Sequence, residues 1–449
     1  MEPMDSSSTE HQQGETPSAV PRRDSQEAPA PTPPDNDHAT DVRPGLDRRG
    51  FLVGTASLIG LSAAHLLPGS AGGRTAHGSE VPADPTRVPG ALGSPYGQRS
   101  TFERARRLEK SQRSVTPLQD LHGIVTPSAL HFERHHNGVP LIDPTRHRLL
   151  VHGLVNRPLI FTIEELKRFP AVSRLAFIEC SGNTGKEWRG PKGTTAQETH
   201  GLLSTSEWTG VRLATLLEQV GIRSEAKWVL AEGSDAAVMT RSLPLEEILE
   251  EAILCYAQNG EALRPEQGYP LRLLLPGWEG NTNIKWIRRL ELGPAPFMTR
   301  EETSRYTDLM PDGTARQFTF VMEAKSVITS PSGGQRIRPG FVEIRGLAWS
   351  GRGRIEQVEV STDQGRRWQV AELAGPVLPK CCTRFRLPWH WDGHATVLQS
   401  RCTDETGYVQ PTREAIVAVR STESHYHYNA VQAWRVSPNG EVSNAQIEA

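Results

Sequence analysis

The stretch FIECSGNTGKEWRG, residues 177–190, sets an apolar run against a turn and leaves one cysteine, Cys180, at the junction. An apolar run closing on small, glycine-containing residues reads as a buried strand that delivers one side chain to a loop. Gly182 and Asn183 are the residues expected to take the backbone angles of that turn. Two readings of Cys180 stay open at this level. Free cysteine packs like a small hydrophobe, which makes it a core thiol. A thiolate acting as nucleophile or metal ligand is the other, with Lys186, Arg189 and Lys192 as cations to stabilise it.

Outward from Cys180 the texture is regular. Between residues 121 and 296, strand-like runs (RLLVHGL, LAFIEC, KWVLAEG, LRLLLPG, IKWIRRLEL) alternate with amphipathic helical runs (TIEELKRF, VRLATLLEQVG, PLEEILEEAI), as in an α+β or α/β domain. After the charged connector TREETSRYTDLMPDGTARQ, residues 320–420 give short β runs broken by turn signals every ten residues or so, the pattern of a β-sandwich. Residues 70–115 read as a Gly/Pro/Arg-rich linker with a short charged helix at TFERARRLEK.

The first forty-odd residues are rich in Pro, Ser, Asp and Glu and are expected to be disordered. DRRGFLVGTASLIGLSAAHLLPGSAGG follows, with Arg48 and Arg49 ahead of an apolar stretch, residues 51–67. A weak membrane anchor is one reading of it. A twin-arginine export signal, which carries folded proteins across the bacterial inner membrane, is the other.

A net charge of −2 argues against nucleic acid as a partner. The five cysteines, Cys180, Cys255, Cys381, Cys382 and Cys402, are odd in number, so a disulfide scaffold does not organise the chain. Adjacent Cys381 and Cys382 do not bridge each other without strain and are read as incidental. No GxGxxG follows a strand to open a helix, and neither a phosphate loop nor a CxxCH haem site occurs.

Two cationic clusters remain. SALHFERHHNGVPLID holds His131, Arg134, His135 and His136; spacing allows a His-only zinc site, but the Gly and Pro that follow favour a loop, and anion recognition fits better. QGYPLRLLLPGWEGNTNIKWIRRLEL carries Lys285, Arg288 and Arg289, either a solvated face or, with the first cluster, a seat for a phosphate-bearing cofactor.

FERHHNGVP, FIECSGN, EWTGVRLATLL, GYPLRLLLPGWEGNTNIKWIRRLEL, VEVSTDQGRRW and NAVQAWRV, in this order, resemble the sulfite oxidase family of molybdenum enzymes. HFERHHNGVPLIDP, PEQGYPLRLLLPG, SRYTDLMPDGTARQFTFVMEAKSVITSPSGG and TDETGYVQPT are similar to its sulfane dehydrogenase members, the molybdenum subunit of the thiosulfate-oxidising Sox system. The resemblance implies an α+β fold: a sulfite-oxidase-type molybdopterin-binding catalytic domain at 116–310, then an immunoglobulin-like β-sandwich dimerisation domain at 318–440. Ahead of these stand a disordered segment at 1–46, the twin-arginine signal at 47–75 and a linker at 76–115.

It further implies that the Cys180 thiolate binds molybdenum, whose pterin dithiolene supplies two further sulfurs. His136, Lys285 and Arg272 fall among the pterin contacts, and Arg134 and Tyr306 line the substrate pocket. With no haem in the chain, a c-type cytochrome is the expected acceptor, a sulfur-carrier protein the expected partner, and the expected assembly is a homodimer or a heterotetramer with the cytochrome, in the periplasm. One departure stands out. Sulfite-oxidising members carry an arginine five residues after the metal cysteine, where this chain has Gly185. That favours a carrier-bound sulfane sulfur over free sulfite, and restoring an arginine at 185 is expected to favour sulfite. A direct sulfite dehydrogenase, a sulfoxide reductase and a cofactor-free secreted binding protein are the alternatives.

Overall fold

Strand Ala171–Glu179 pairs antiparallel along its whole length with Leu203–Arg212, from Ala171 opposite Val211 to Glu179 opposite Leu203, and so fixes where Cys180 emerges. The computed structural model describes residues 92–447; the expected N-terminal segment, the twin-arginine stretch and the linker as far as residue 91 lie outside the described residues.

Leu203–Arg212 continues through Ile253–Gln258 to Glu261–Ala262, and Arg272–Leu274 also joins Ile253–Gln258. A second five-stranded sheet runs Leu159–Phe161, Leu149–Gly153, Ile287–Gly293, Trp228–Gly233, Thr240–Pro244. Every ladder among the described residues is antiparallel except that of Ile287–Gly293 with Leu149–Gly153, so the domain is α+β.

Its helices are short and amphipathic, as the sequence requires. Leu213, Leu216, Leu217 and Val220 of helix Leu213–Val220 fall on one face and are fully buried against the second sheet; Gly221, at φ 69°, ends the helix. Helix Ile163–Leu166 starts at a capping box in which Thr162 and Glu165 satisfy each other's backbone N–H groups.

Residues 101–110 are not the charged helix expected. Leu108–Lys110 is a strand, paired with Arg113–Val115, which pairs in turn with Glu133–Arg134. Leu108 packs on a core cluster and Arg107 reaches Glu133 across the sheet, so tertiary contacts override the helical propensity of a charged segment. The end of the expected linker thus builds a wall of the catalytic domain.

The sandwich packs the sheet of Lys325–Ser330, Gly340–Trp349, Thr383–Trp391 and Glu372–Ala374 on that of Gln369–Val370, Ile355–Ser361, Thr396–Asp404, Ala433–Val436 and Val442–Ala445. Trp349, Phe385, Trp391, Leu398 and Trp434 fill the space between them, each contributing on the order of 1.5–3 kcal/mol by burial.

The sandwich is docked on the catalytic domain along the strand that carries Cys180. The Phe177 N–H donates to the Lys380 carbonyl at 3.1 Å, and the Cys382 N–H to Thr205 Oγ1 at 3.4 Å. Cys381 and Cys382 are buried beside this seam, and all five cysteines are free thiols. Among the described residues no helix is long and apolar enough to cross a membrane.

Candidate active site

Strand Ala171–Glu179 stops one residue before Cys180, whose own N–H still donates to the Leu202 carbonyl at 3.0 Å. The chain then turns, but neither Gly182 nor Asn183 supplies the left-handed residue expected of them. Thr184 does, at φ 64°. Asn183 instead works through its side chain, donating to Glu179 Oε1 at 2.9 Å and the His200 carbonyl at 3.0 Å while accepting from the Leu202 N–H.

Cys180 opens into a cleft of about 690 Å³ whose lining includes all six sequence-predicted residues: Arg134, His136, Cys180, Arg272, Lys285 and Tyr306. Of the basic run that ends the second motif, only Lys285 reaches the cleft; Arg288 and Arg289 face Glu232 on the second sheet. Lys285 Nζ lies 2.8 Å from His135 Nδ1 and donates to the carbonyls of Arg134 and Glu266. Lys186, Arg189 and Lys192 do not line the cleft either, and Arg189 pairs with Glu423 at the surface. The cation acting on the thiol is Arg134.

Burial sets the charges. It pushes the Cys180 thiol up against the pull of the Gly182 N–H and Arg134, so that a metal would have to displace a held proton. It lowers Lys285 to about 7, with Arg272 adding like-charge repulsion, and Arg272 to about 10. His136 drops to about 4 through burial and the charges of Arg134 and Arg305, so it is neutral near pH 7. Tyr306 is raised by burial and stays a phenol; its hydroxyl shares a hydrogen bond with His136 Nε2, 3.1 Å away.

Behind the cleft is a scaffold of ion pairs that sequence reading missed. Arg241, 1% exposed, donates to Glu279 at 2.8 Å and Glu302 at 2.7 Å and lies over the Tyr306 ring at 5.1 Å. Glu279 also meets His427 Nε2 at 3.3 Å. Burial opposes a charge on His427, but its bonds to Glu279 and Glu323 outweigh that and lift it to about 9. Trp286, Tyr306 and His427 all sit at positive φ, a strain of about 1–3 kcal/mol each that persists only where surrounding contacts dictate it. Glu179, fully buried next to Cys180, accepts from Lys325 Nζ at 2.9 Å and Trp349 Nε1 at 2.6 Å, both from the sandwich.

Gly185 is explained by space. It is not among the glycines at positive φ, but a Cβ built on it would lie 2.5 Å from the His425 carbonyl oxygen. Backbone from the sandwich domain occupies the direction a side chain at 185 would take.

The cleft thus combines one soft thiol with a cationic inner wall. Residues 136–300 match the family described as the oxidoreductase molybdopterin binding domain, and residues 316–433 the Mo-co oxidoreductase dimerisation domain. The chain belongs to the sulfite oxidase family of molybdopterin oxidoreductases. It is similar to the crystal structure of the sulfane dehydrogenase SoxCD from Paracoccus pantotrophus, with 47% identity and a TM-score of 0.78 over 80% of this chain and 96% of that one. Sulfite oxidase of Gallus gallus is 33% identical over 57% of this chain and 60% of its own length. The mitochondrial sulfite oxidase of Homo sapiens is 32% identical over 60% of this chain and 52% of its own. The chain therefore spans little more than half the length of these curated relatives.

The residues present fit a molybdenum–pterin group. Four buried polar atoms on the cleft wall, His131 Nε2, Arg134 Nη1, Arg272 Nε and Asn281 Oδ1, have no partner among the described residues, which suits a polar ligand with an anionic tail. His131 is held near 3 by burial and has Nδ1 at 2.8 Å from the Phe132 carbonyl, so Nε2 presents a lone pair to the cleft.

Proposed function

We propose that this chain is the molybdenum-bearing subunit of a periplasmic sulfane dehydrogenase. It oxidises sulfane sulfur held on a carrier protein and passes the electrons to a c-type cytochrome. The observation that carries the reading is the 47% identity with the sulfane dehydrogenase structure across 96% of that chain. Cys180 would ligate the metal, and Arg272, Lys285 and the histidines of residues 131–136 would hold the pterin and its phosphate. When bound, that group supplies the two-electron redox couple. The protein's part is placement. Arg134 brings a guanidinium to the cleft that holds Cys180, and Tyr306, kept protonated, shares a hydrogen bond with neutral His136 on its wall. Each oxygen added to the sulfur derives from water and releases two protons and two electrons, hence the separate cytochrome. The dimerisation-type sandwich supports a homodimer or a heterotetramer with that cytochrome.

Free sulfite lacks its second arginine. A bidentate charge-assisted contact is worth about 1.5–3 kcal/mol, so kcat/KM for loaded carrier should exceed that for sulfite by roughly ten- to a hundredfold with one shared acceptor. Efficient sulfite oxidation by the unmodified protein overturns the carrier reading and favours a sulfite dehydrogenase. Gly185→Arg is not expected to restore sulfite turnover, contrary to the sequence-based expectation, because its Cβ meets main chain; the variant should lose thermal stability instead.

Export by the twin-arginine route is part of the proposal. With Arg48 and Arg49 both changed to lysine, the protein should accumulate in the cytoplasm. Normal periplasmic recovery in cell fractions would show the motif to be idle.

A further inference from the structure

Consecutive residues of the sandwich domain, His425, Tyr426 and His427, each touch a different part of the inner site. The His425 carbonyl lies over Gly185, the Tyr426 ring stands 5.3 Å from that of Tyr306, and the His427 N–H donates to the Ser181 carbonyl at 2.9 Å. The last of these bonds holds the residue that follows Cys180. It also sets the His427 imidazole, 1% exposed, between two carboxylates: Nε2 is 3.3 Å from Glu279 and Nδ1 is 3.3 Å from Glu323. Serving both acceptors takes a proton on each nitrogen, and the rise of the imidazole to about 9 supplies it at neutral pH.

Each carboxylate is held from its other side by an arginine, Glu279 by Arg241 at 2.8 Å and Glu323 by Arg420 at 3.1 Å. The two arms lead to different places. The outer arm runs through Glu323 to Arg420 and Asp308, and joins the sandwich to the connector. The inner arm runs through Glu279 to Arg241, which lies over the Tyr306 ring, and Tyr306 meets His136 on the cleft wall. Gly280 and Asn281, which follow Glu279 in the chain, line the same cleft. A histidine that only linked domains would need the outer arm alone. We propose that His427 is a positioning residue for sulfur oxidation: through Glu279 and Arg241 it fixes where the Tyr306 hydroxyl stands, so that the sandwich domain completes the wall of the cysteine cleft. This rests on the reading of Tyr306 as a wall of the substrate pocket, and not on which sulfur compound enters it.

The two nitrogens can be kept one at a time. The amide of His427→Gln reaches where Nε2 stands and keeps the inner arm, whereas that of His427→Asn reaches where Nδ1 stands and keeps only the outer one. His427 sits at φ 55°, an angle that asparagine tolerates better than glutamine. Stability therefore favours His427→Asn and positioning favours His427→Gln. Both holoproteins are assayed for urea midpoint, molybdenum content and turnover per molybdenum atom, with loaded carrier and with free sulfite. His427→Asn should lose at least about tenfold in kcat/KM on whichever compound the parent oxidises, and His427→Gln should stay within about threefold, since an ångström of misplacement costs up to about a hundredfold. The urea midpoint of His427→Asn should equal or exceed that of His427→Gln. Crystal structures of the two variants give a readout independent of turnover: the 3.1 Å separation of Tyr306 from His136 is kept in His427→Gln and lengthened in His427→Asn. Equal losses in both variants, turnover that follows the urea midpoint, or an unmoved Tyr306 in His427→Asn overturn the proposal and leave His427 as a domain link. So does a fall in molybdenum content with unchanged turnover per atom, which would assign His427 to cofactor retention. If the parent oxidises neither compound, the sulfur reading fails by itself, and the position of Tyr306 decides the role of His427. If His427→Gln does not fold, Glu323→Gln takes its place, because it weakens the outer arm and leaves His427 on Glu279. Parental turnover in Glu323→Gln is then expected, and a loss matching that of His427→Asn would overturn the proposal.

Discussion

Cys180→Ser is expected to yield a folded, exported protein that binds pterin and turns over at background rate. The substitution removes one soft, polarisable ligand and leaves a hydroxyl, a harder donor that does not lose its proton near neutral pH. The rest of the cleft is untouched: Lys285 keeps its three partners, and Arg272 stays bonded to the Gln267 carbonyl at 3.0 Å. Changing a group that merely orients a metal ligand costs roughly 10- to 100-fold in affinity or activity, and loss of the ligand itself should exceed that. The measurement is turnover set beside molybdenum and pterin content on the same sample. Activity within tenfold of the parent would remove Cys180 from the metal and return it to the core-thiol reading.

What the sequence made legible follows from the range over which its signals act. The apolar run into Cys180, the 3.6-residue rhythm of residues 213–220 and the turn-punctuated strands after 320 are local patterns, and each corresponds to an element in the fold. The inner site was legible because its residues lie in a few dense motifs that converge on one cleft. Residues 101–110 misled because Leu108–Lys110 forms a hairpin strand with Arg113–Val115, anchored by the side-chain contacts of Arg107 with Glu133 and Lys110 with Glu198, which local helical propensity does not reveal. Gly185 misled differently. Its lack of a side chain was visible, but the His425 carbonyl that forbids one comes from another domain. The ion pairs behind Cys180 and Tyr306 were illegible for the same reason: a lysine within KSVITS looks like any strand residue until Glu179 is found opposite it.

That lysine bears the second large effect. Lys325 and Glu179 are 2% and 0% exposed at their side chains, and their 2.9 Å contact joins the sandwich to the residue preceding Cys180. Lys325→Met keeps the volume and removes the charge, leaving Glu179 with neutral donors from Asn183 and Trp349 only. Breaking a buried pair from one side costs about 3–5 kcal/mol, some two to three and a half decades in the folding equilibrium. Removing both charges, as in Glu179→Leu/Lys325→Met, is close to neutral by the same rule, so the double variant should recover most of the urea midpoint lost by the single one. Stability and cofactor retention then separate two roles. If the pair only glues the domains, the double variant will hold molybdenum as the parent does. If Glu179 also fixes the turn through Asn183, which ties Glu179 to the His200 carbonyl and the Leu202 N–H, molybdenum content will stay low after stability returns, and this is the outcome expected. An unchanged midpoint in Lys325→Met would mean that the pair contributes nothing to the stability of the folded protein.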